Sequence, residues 1–156
     1  MHSVAVHMDE GLQAQVGDEP LCKAALRTLH HQHVEGACEL SVVVTDDETL
    51  RELNRRHLGI NAPTDVLAFP NEARGPFVDA PDGLHYLGDV IISFPRAAAQ
   101  ASEAGHDVQA ELQLLVVHGV LHLLGYDDQA EELRAKMWHA QSEILRALGI
   151  DVNPPL

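Results

Sequence analysis

The sequence predicts an α+β domain in which helices pack around a small mixed sheet. Three features point to it. The segments SVAVHM (3–8) and CELSVVVT (38–45) are rich in the β-branched residues that favour strands, and a helix-period stretch separates them. Two further strand-like runs, TDVLAF from Thr64 and LHYLGDVIISF (84–94), flank the polar segment NEARGPFVDAPDG, whose glycines and prolines mark a surface loop. From Pro95 onward the patterning is helical only.

Each element has a local cause. EPLCKAALRTLHHQH (19–33) reads as an amphipathic helix with Leu21, Ala25 and Leu29 in one apolar stripe. Thr45-Asp46-Asp47-Glu48 fits a capping box, so a helix is expected to start there, carry Leu50 and Leu53 inward and stop near Gly59. Pro95 fits the first position of a helix running to Gly105, because its missing N–H has no intrahelical partner there. Asp107 is placed to cap the next helix. VQAELQLLVVHGVLHLL is apolar on most sides, which predicts the buried central helix of the domain. A long helix over 129–148 ends at Gly149, and DVNPPL is a tail.

At 156 residues the chain is read as one domain, 1–156. No apolar run is long enough to span a bilayer, and MHSVAVHMDEG lacks the basic and apolar regions of a signal peptide, so a cytoplasmic protein is expected. Cys22 and Cys38 have no second pair with which to build a zinc knuckle and are read as buried thiols. The net charge of -14 argues against a generic nucleic-acid binder, since it repels a polyanion. Residues 51–74 depart from that balance: Arg51, Arg55, Arg56 and Arg74 stand against Glu52, Asp65 and Glu72, a segment of +1 (four minus three) that leaves -15 elsewhere.

The stretch HGVLHLLGYDD (118–128) carries the clearest chemistry. Four residues of helix turn the chain by about 400°, so His118 and His122 project from nearly one face and both reach one ion. That suits zinc, which takes histidine nitrogen in tetrahedral sites. Gly125 permits a left-handed residue and a sharp reversal that returns residues 127 and 128 towards the histidines. Asp128 is then the third ligand, with Asp127 as the alternative; the competing role for Asp128 is to cap the helix at Gln129. A carboxylate in that place cancels one of zinc's two charges, so a water activated there is less acidic and the pH–rate profile is expected to shift to the alkaline side. The position after His118, where HExxH proteases carry a glutamate base, is Gly119, and nothing in the sequence places Asp65 or Asp89 in that role.

CELSVVVTDDETLRELNRRHLG, APTDVLAFP, LGDVIIS and HGVLHLLGYDD together resemble, in order and spacing, the YbeY family of metal-dependent endoribonucleases and rRNA maturation factors. The resemblance implies an α+β domain with a four-stranded mixed sheet, one metal ion held by three residues, and cleavage of single-stranded RNA. It also implies maturation of the 3′ end of 16S rRNA, ribosome quality control, and association with the ribosome or its small-subunit proteins, with neither DNA nor membrane as partner. Carried over by position, His118 and His122 are the first two ligands of a single Zn2+, and His118 takes part in catalysis. Asp128 stands where the family usually has a third histidine. Leu58 stands where it usually has an arginine thought to handle phosphate, so Arg55 and Arg56, one turn earlier, are the candidates for that task; Ala68 stands where serine is frequent.

Two other readings compete. Leu58 and Asp128 fit a ribosome-assembly factor that has kept the fold and lost activity, and a metallohydrolase of peptides is the other, weakened by Gly119. His30, His31 and His33 sit near a helix end where imidazoles meet the dipole favourably. Met137 and Trp138 are expected in the core.

Overall fold

The computed structural model describes residues 2–12, 15–71, 85–127 and 129–150, and the elements below are those of the described residues. In chain order they are β1 (Ser3–Met8), α1 (Asp18–His31), β2 (Cys38–Thr45), α2 (Asp47–Leu58), β3 (Val66–Pro70), β4 (His85–Ser93), α3 (Phe94–Ala104), α4 (Val108–Leu123) and α5 (Glu131–Ala147). The sheet is mixed, in the order β1-β2-β4-β3. β1 and β4 both run parallel to β2, whereas β3 pairs antiparallel with β4 at one edge. The α+β class with a four-stranded mixed sheet is therefore as expected. The loop expected at 71–83 and the tail from Asp151 lie largely outside the described residues.

Strand alternation decides which face is the core. Leu40, Val42 and Val44 of β2 and Val90 and Ile92 of β4 are fully buried, and in register Val42 stands opposite Val6 on one side and Val90 on the other. α4 lies across this face, in contact with β3 and β4, while α1, α3 and α5 pack around α4. Leu112, Val116, Val117, Val120 and Leu121 are buried, as a helix apolar on most sides requires. Leu21, Ala25 and Leu29 of α1 join the same core. The other face is met by α2: Leu53 and His57 line a groove with Asp89 and Ile91, which alternate with Val90 and Ile92 on β4, and with their β3 partners Phe69 and Leu67.

Several local expectations are corrected. The cap of α2 is Asp46, whose carboxylate accepts from Thr49 N–H at 2.7 Å; Thr45 Oγ1 donates instead to Asp9 Oδ2 at 2.8 Å, tying β2 to the turn after β1. Leu50 points inward, but its buried companion is Asn54, whose amide donates to Ala62 O at 2.9 Å, while Leu53 is half-buried in the groove. α3 starts one residue before Pro95, with Ser93 accepting from Arg96 N–H. α5 starts at Glu131 and not at Gln129, and among the described residues no side chain caps it. Cys38 is buried, but Cys22 is partly exposed. Met137 is in the core, whereas Trp138 is half-buried with the Arg134 guanidinium 5.6 Å from its ring centroid.

The closest approach of helix to sheet is at Gly119. A Cβ built there falls 2.5 Å from Val90 Cγ1 and 3.1 Å from Cγ2, so only glycine lets α4 sit at this depth. Gly119→Ala is expected to cost about 1–3 kcal/mol of stability through overpacking. Denaturant unfolding of Gly119→Ala and of the Gly119→Ala/Val90→Ala pair checks it, with the second change returning part of the loss. At α2, the Thr49 hydrogen bonds hold Asp46 below the usual aspartate range. A carboxyl depressed in the folded state stabilises above its unfolded pKa and loses that contribution as pH falls through the folded value. Asp46→Ala is therefore expected to cost about 1 kcal/mol near neutral pH. Unfolding curves of the two proteins should converge once the pH is below that lowered pKa.

Candidate metal centre

Asp107 opens α4 by accepting from Ala110 N–H at 2.7 Å, and the helix then runs without a break through His118 and His122. The two rings stand edge to face, centroids 4.7 Å apart at 75°. Their Nε2 atoms face each other at 3.2 Å. Two nitrogens on one tetrahedral zinc with bonds of about 2.0–2.1 Å lie about 3.3–3.4 Å apart, so the pair is already spaced for a shared ion.

The other nitrogen of each ring is engaged. His122 Nδ1 lies 2.9 Å from Tyr126 O, and a carbonyl only accepts, so this nitrogen carries the proton. His118 Nδ1 lies 3.1 Å from Oε1 of the buried Gln141 on α5. Both contacts place the proton on Nδ1 and direct the Nε2 lone pair at the neighbouring ring, the arrangement that orients metal-binding imidazoles elsewhere. Gly125 makes this possible. At φ +106 it turns the chain, Tyr126 N–H reaches Leu121 O at 3.0 Å, and the Tyr126 carbonyl is carried back under His122. The Tyr126 hydroxyl donates to Gln32 Oε1 at 2.9 Å, anchoring the reversal to the end of α1.

The third position is different. Asp128 lies outside the described residues. Asp127, the alternative, accepts from Gln129 N–H at 2.9 Å within its own turn. Among the described residues no group of three or more His, Cys, Asp or Glu side chains is arranged to hold a metal. The described residues thus bring together two imidazole nitrogens and their hydrogen-bond supports.

The arginines stand apart from this pair. Arg55 and Arg56 lie on the exposed face of α2, both paired with Glu52, Arg56 at 3.5 Å. The Arg55 guanidinium in turn holds Glu52 below the usual glutamate range. Neither arginine lines the 320 Å³ cavity beside His118. Leu58 is 59% exposed and, with Ala68, borders the groove on the opposite face of the sheet. Of the two acids the sequence left unplaced, Asp65 lines the cavity of His118, while Asp89 lies in the α2 groove and accepts from the Tyr86 hydroxyl. Burial and this bond to Asp89 push Tyr86 above the usual phenol range. Gly119 has a structural reason as well: no glutamate base fits where a single methyl already meets Val90.

Sequence reasoning did not find Gln141, the Tyr126 carbonyl, or the partly buried His106–Glu111 pair in the cavity beside His118. Only Glu111 left a trace, as an acid within an apolar helical run.

The family model for endoribonuclease YbeY matches residues 10–149. The chain belongs to the YbeY family. Relatives named endoribonuclease YbeY include one from Chloroflexus aurantiacus, 42% identical over 152 residues, covering 96% of this chain and 97% of that protein. Another from Roseiflexus castenholzii is 46% identical, covering 82% and 81%, and one from Moorella thermoacetica is 41% identical, covering 92% and 99%. The solution structure of TM1509 from Thermotoga maritima shares the fold, with a TM-score of 0.57 at 23% identity over 92% of this chain and 90% of that one. As a member of the YbeY family the chain is thus similar to its relatives over nearly its whole length, including the segment that carries His118 and His122.

The ring contacts can be read directly. Nitrogen NMR of the metal-free protein should show the neutral rings of His118 and His122 as Nδ1–H tautomers. An Nε2–H tautomer at both rings would contradict the assigned geometry.

Proposed function

We propose that this protein is a zinc-dependent endoribonuclease that cleaves single-stranded RNA and acts in rRNA maturation on the ribosome, in the cytoplasm. The observation that carries the reading is the pair of Nε2 atoms 3.2 Å apart on α4, each ring braced through Nδ1, in a chain whose relatives are named endoribonuclease YbeY. His118, His122 and Asp128 would hold the ion. The donor set fits zinc, since two imidazoles and a carboxylate are all accepted ligands and leave one tetrahedral position open. Zinc held there supplies a Lewis acid that makes a water more acidic and offsets negative charge at phosphorus.

The chain's own residues do the rest. Gln141 and the Tyr126 carbonyl hold the two imidazoles in one tautomer and one orientation, so little reorganisation is needed when a ligand arrives. Arg55 and Arg56 are the proposed contacts to RNA phosphate. Exposed ion pairs are weak because solvent screens them, so an RNA phosphate can displace Glu52 at small cost. With a net charge of -14 the protein is expected to bind free RNA weakly and with steep salt dependence. A small-subunit protein or the ribosome then supplies targeting. Leu58, apolar and 59% exposed where the family usually has arginine, favours the second reading, an assembly factor of reduced activity.

Metal analysis of the purified protein is expected to give one zinc per chain, with His118→Ala, His122→Ala and Asp128→Ala each losing metal and at least about a hundredfold in RNA cleavage. Asp128→His should move the pH–rate profile to lower pH, because removing the carboxylate's charge makes an activated water more acidic. Cleavage undiminished in all three alanine variants would sink the metal-site reading. Ribosome association by a wild-type protein that neither holds metal nor cuts RNA would favour the assembly factor.

A further inference from the structure

The 320 Å³ cavity beside His118 lies between the α3–α4 turn, α4, α5 and the residue leading into β3. Its polar lining is Asp65, Gln100, His106, Glu111, His118 and Gln141. Leu114 and Leu115 form an apolar wall. Glu111 stands seven residues before His118 on α4, two turns away on the same face, and is 6% exposed. Its Oε1 lies 2.6 Å from His106 Nε2. A carboxylate only accepts, so His106 donates from Nε2.

The two carboxylates differ in what they have left to offer. Asp65 already accepts from Val66 N–H at 2.8 Å, Thr64 Oγ1 at 3.4 Å and Gln100 Nε2 at 3.3 Å. Glu111 accepts from His106, which occupies one of about four acceptor positions on a carboxylate. A cavity with two carboxylates repels a phosphate and selects a neutral group rich in N–H donors. An apolar wall with acceptors at its rim suits a flat ring, and unpaired bases are read in this way along their Watson–Crick edge.

We propose that this cavity is a base-recognition subsite that takes an unpaired guanine next to the scissile phosphate, with Glu111 as the residue that reads it. Guanine presents two adjacent donors, N1–H and the N2 amino group, which match the two oxygens of one carboxylate; cytosine and adenine offer one amino group on that edge, and uracil one imino group. Gln100 and His106 line the same cavity, and His118, which also lines it, links the base to the proposed metal. The subsite rests on the endoribonuclease reading for its role in cleavage but not for base binding itself.

Equilibrium binding of the pentanucleotides UUGUU, UUAUU, UUCUU and UUUUU to the full chain tests it. The wild type is expected to bind UUGUU about tenfold more tightly than the others, the discrimination of a good bidentate base contact. Glu111→Gln, nearly isosteric and checked for folding by its thermal transition, is expected to lose that preference. Equal Kd values for all four oligonucleotides in the wild type would overturn the proposal, as would a guanine preference that survives in Glu111→Gln. Cleavage undiminished in His118→Ala, His122→Ala and Asp128→Ala would remove the metal-site reading, while the binding series, which needs no cleavage, still decides the subsite.

Discussion

The depth at which α4 sits on the sheet sets the rest of the molecule. Gly119 brings the helix backbone against Val90, and that contact places the C-terminal half of α4 beside β3 and β4 with one face turned away from the sheet. His118 and His122 occupy that face, half-buried, while their neighbours Val117, Val120 and Leu121 are in the core. A side chain at 119 would lift the helix and tilt both rings. The same methyl-sized constraint leaves no room for a glutamate at this position.

Electrostatics builds outward from the two rings. Each Nδ1 faces an oxygen that accepts, so both Nε2 lone pairs point into the space they share. Two such lone pairs at 3.2 Å repel unless a cation or a proton lies between them, which is the physical basis for reading a metal here. The surroundings are acidic, with Glu111 and Asp65 in the adjoining cavity and the cations of α2 engaged with Glu48 and Glu52. A positive ion is therefore favoured near His118, and an RNA phosphate gains little from the protein surface alone.

Much of the fold was legible because its signals are local. The valine run of β2, the apolar stripe of α1 and the nearly all-apolar α4 each declare a buried face through their own period, and each is buried as expected. Where the reading slipped, two local options competed. Thr45 and Asp46 are both good caps, and Asp9, thirty-six residues before Thr45, claims the threonine hydroxyl and leaves Asp46 to the helix. Leu53 was expected inward, yet the α2 face of the sheet is only partly covered, and Asn54 is buried because it can satisfy Ala62 O.

The sequence by itself determined the α+β class, the order of elements, the glycine reversal at Gly125 and the pairing of His118 with His122, because each depends on residues within a few turns of one another. Only the tertiary structure decided the rest. Gln141 reaches His118 from α5, Tyr126 is tied to the end of α1 through Gln32, and Asp65 comes from the approach to the edge strand. These partners are separated by 23 to 94 residues, and no pattern of spacing encodes a contact made by packing one element on another. The cavity that Gln141 and Asp65 form with His106, Glu111 and His118 exists only once α3, α4 and α5 have closed on the sheet.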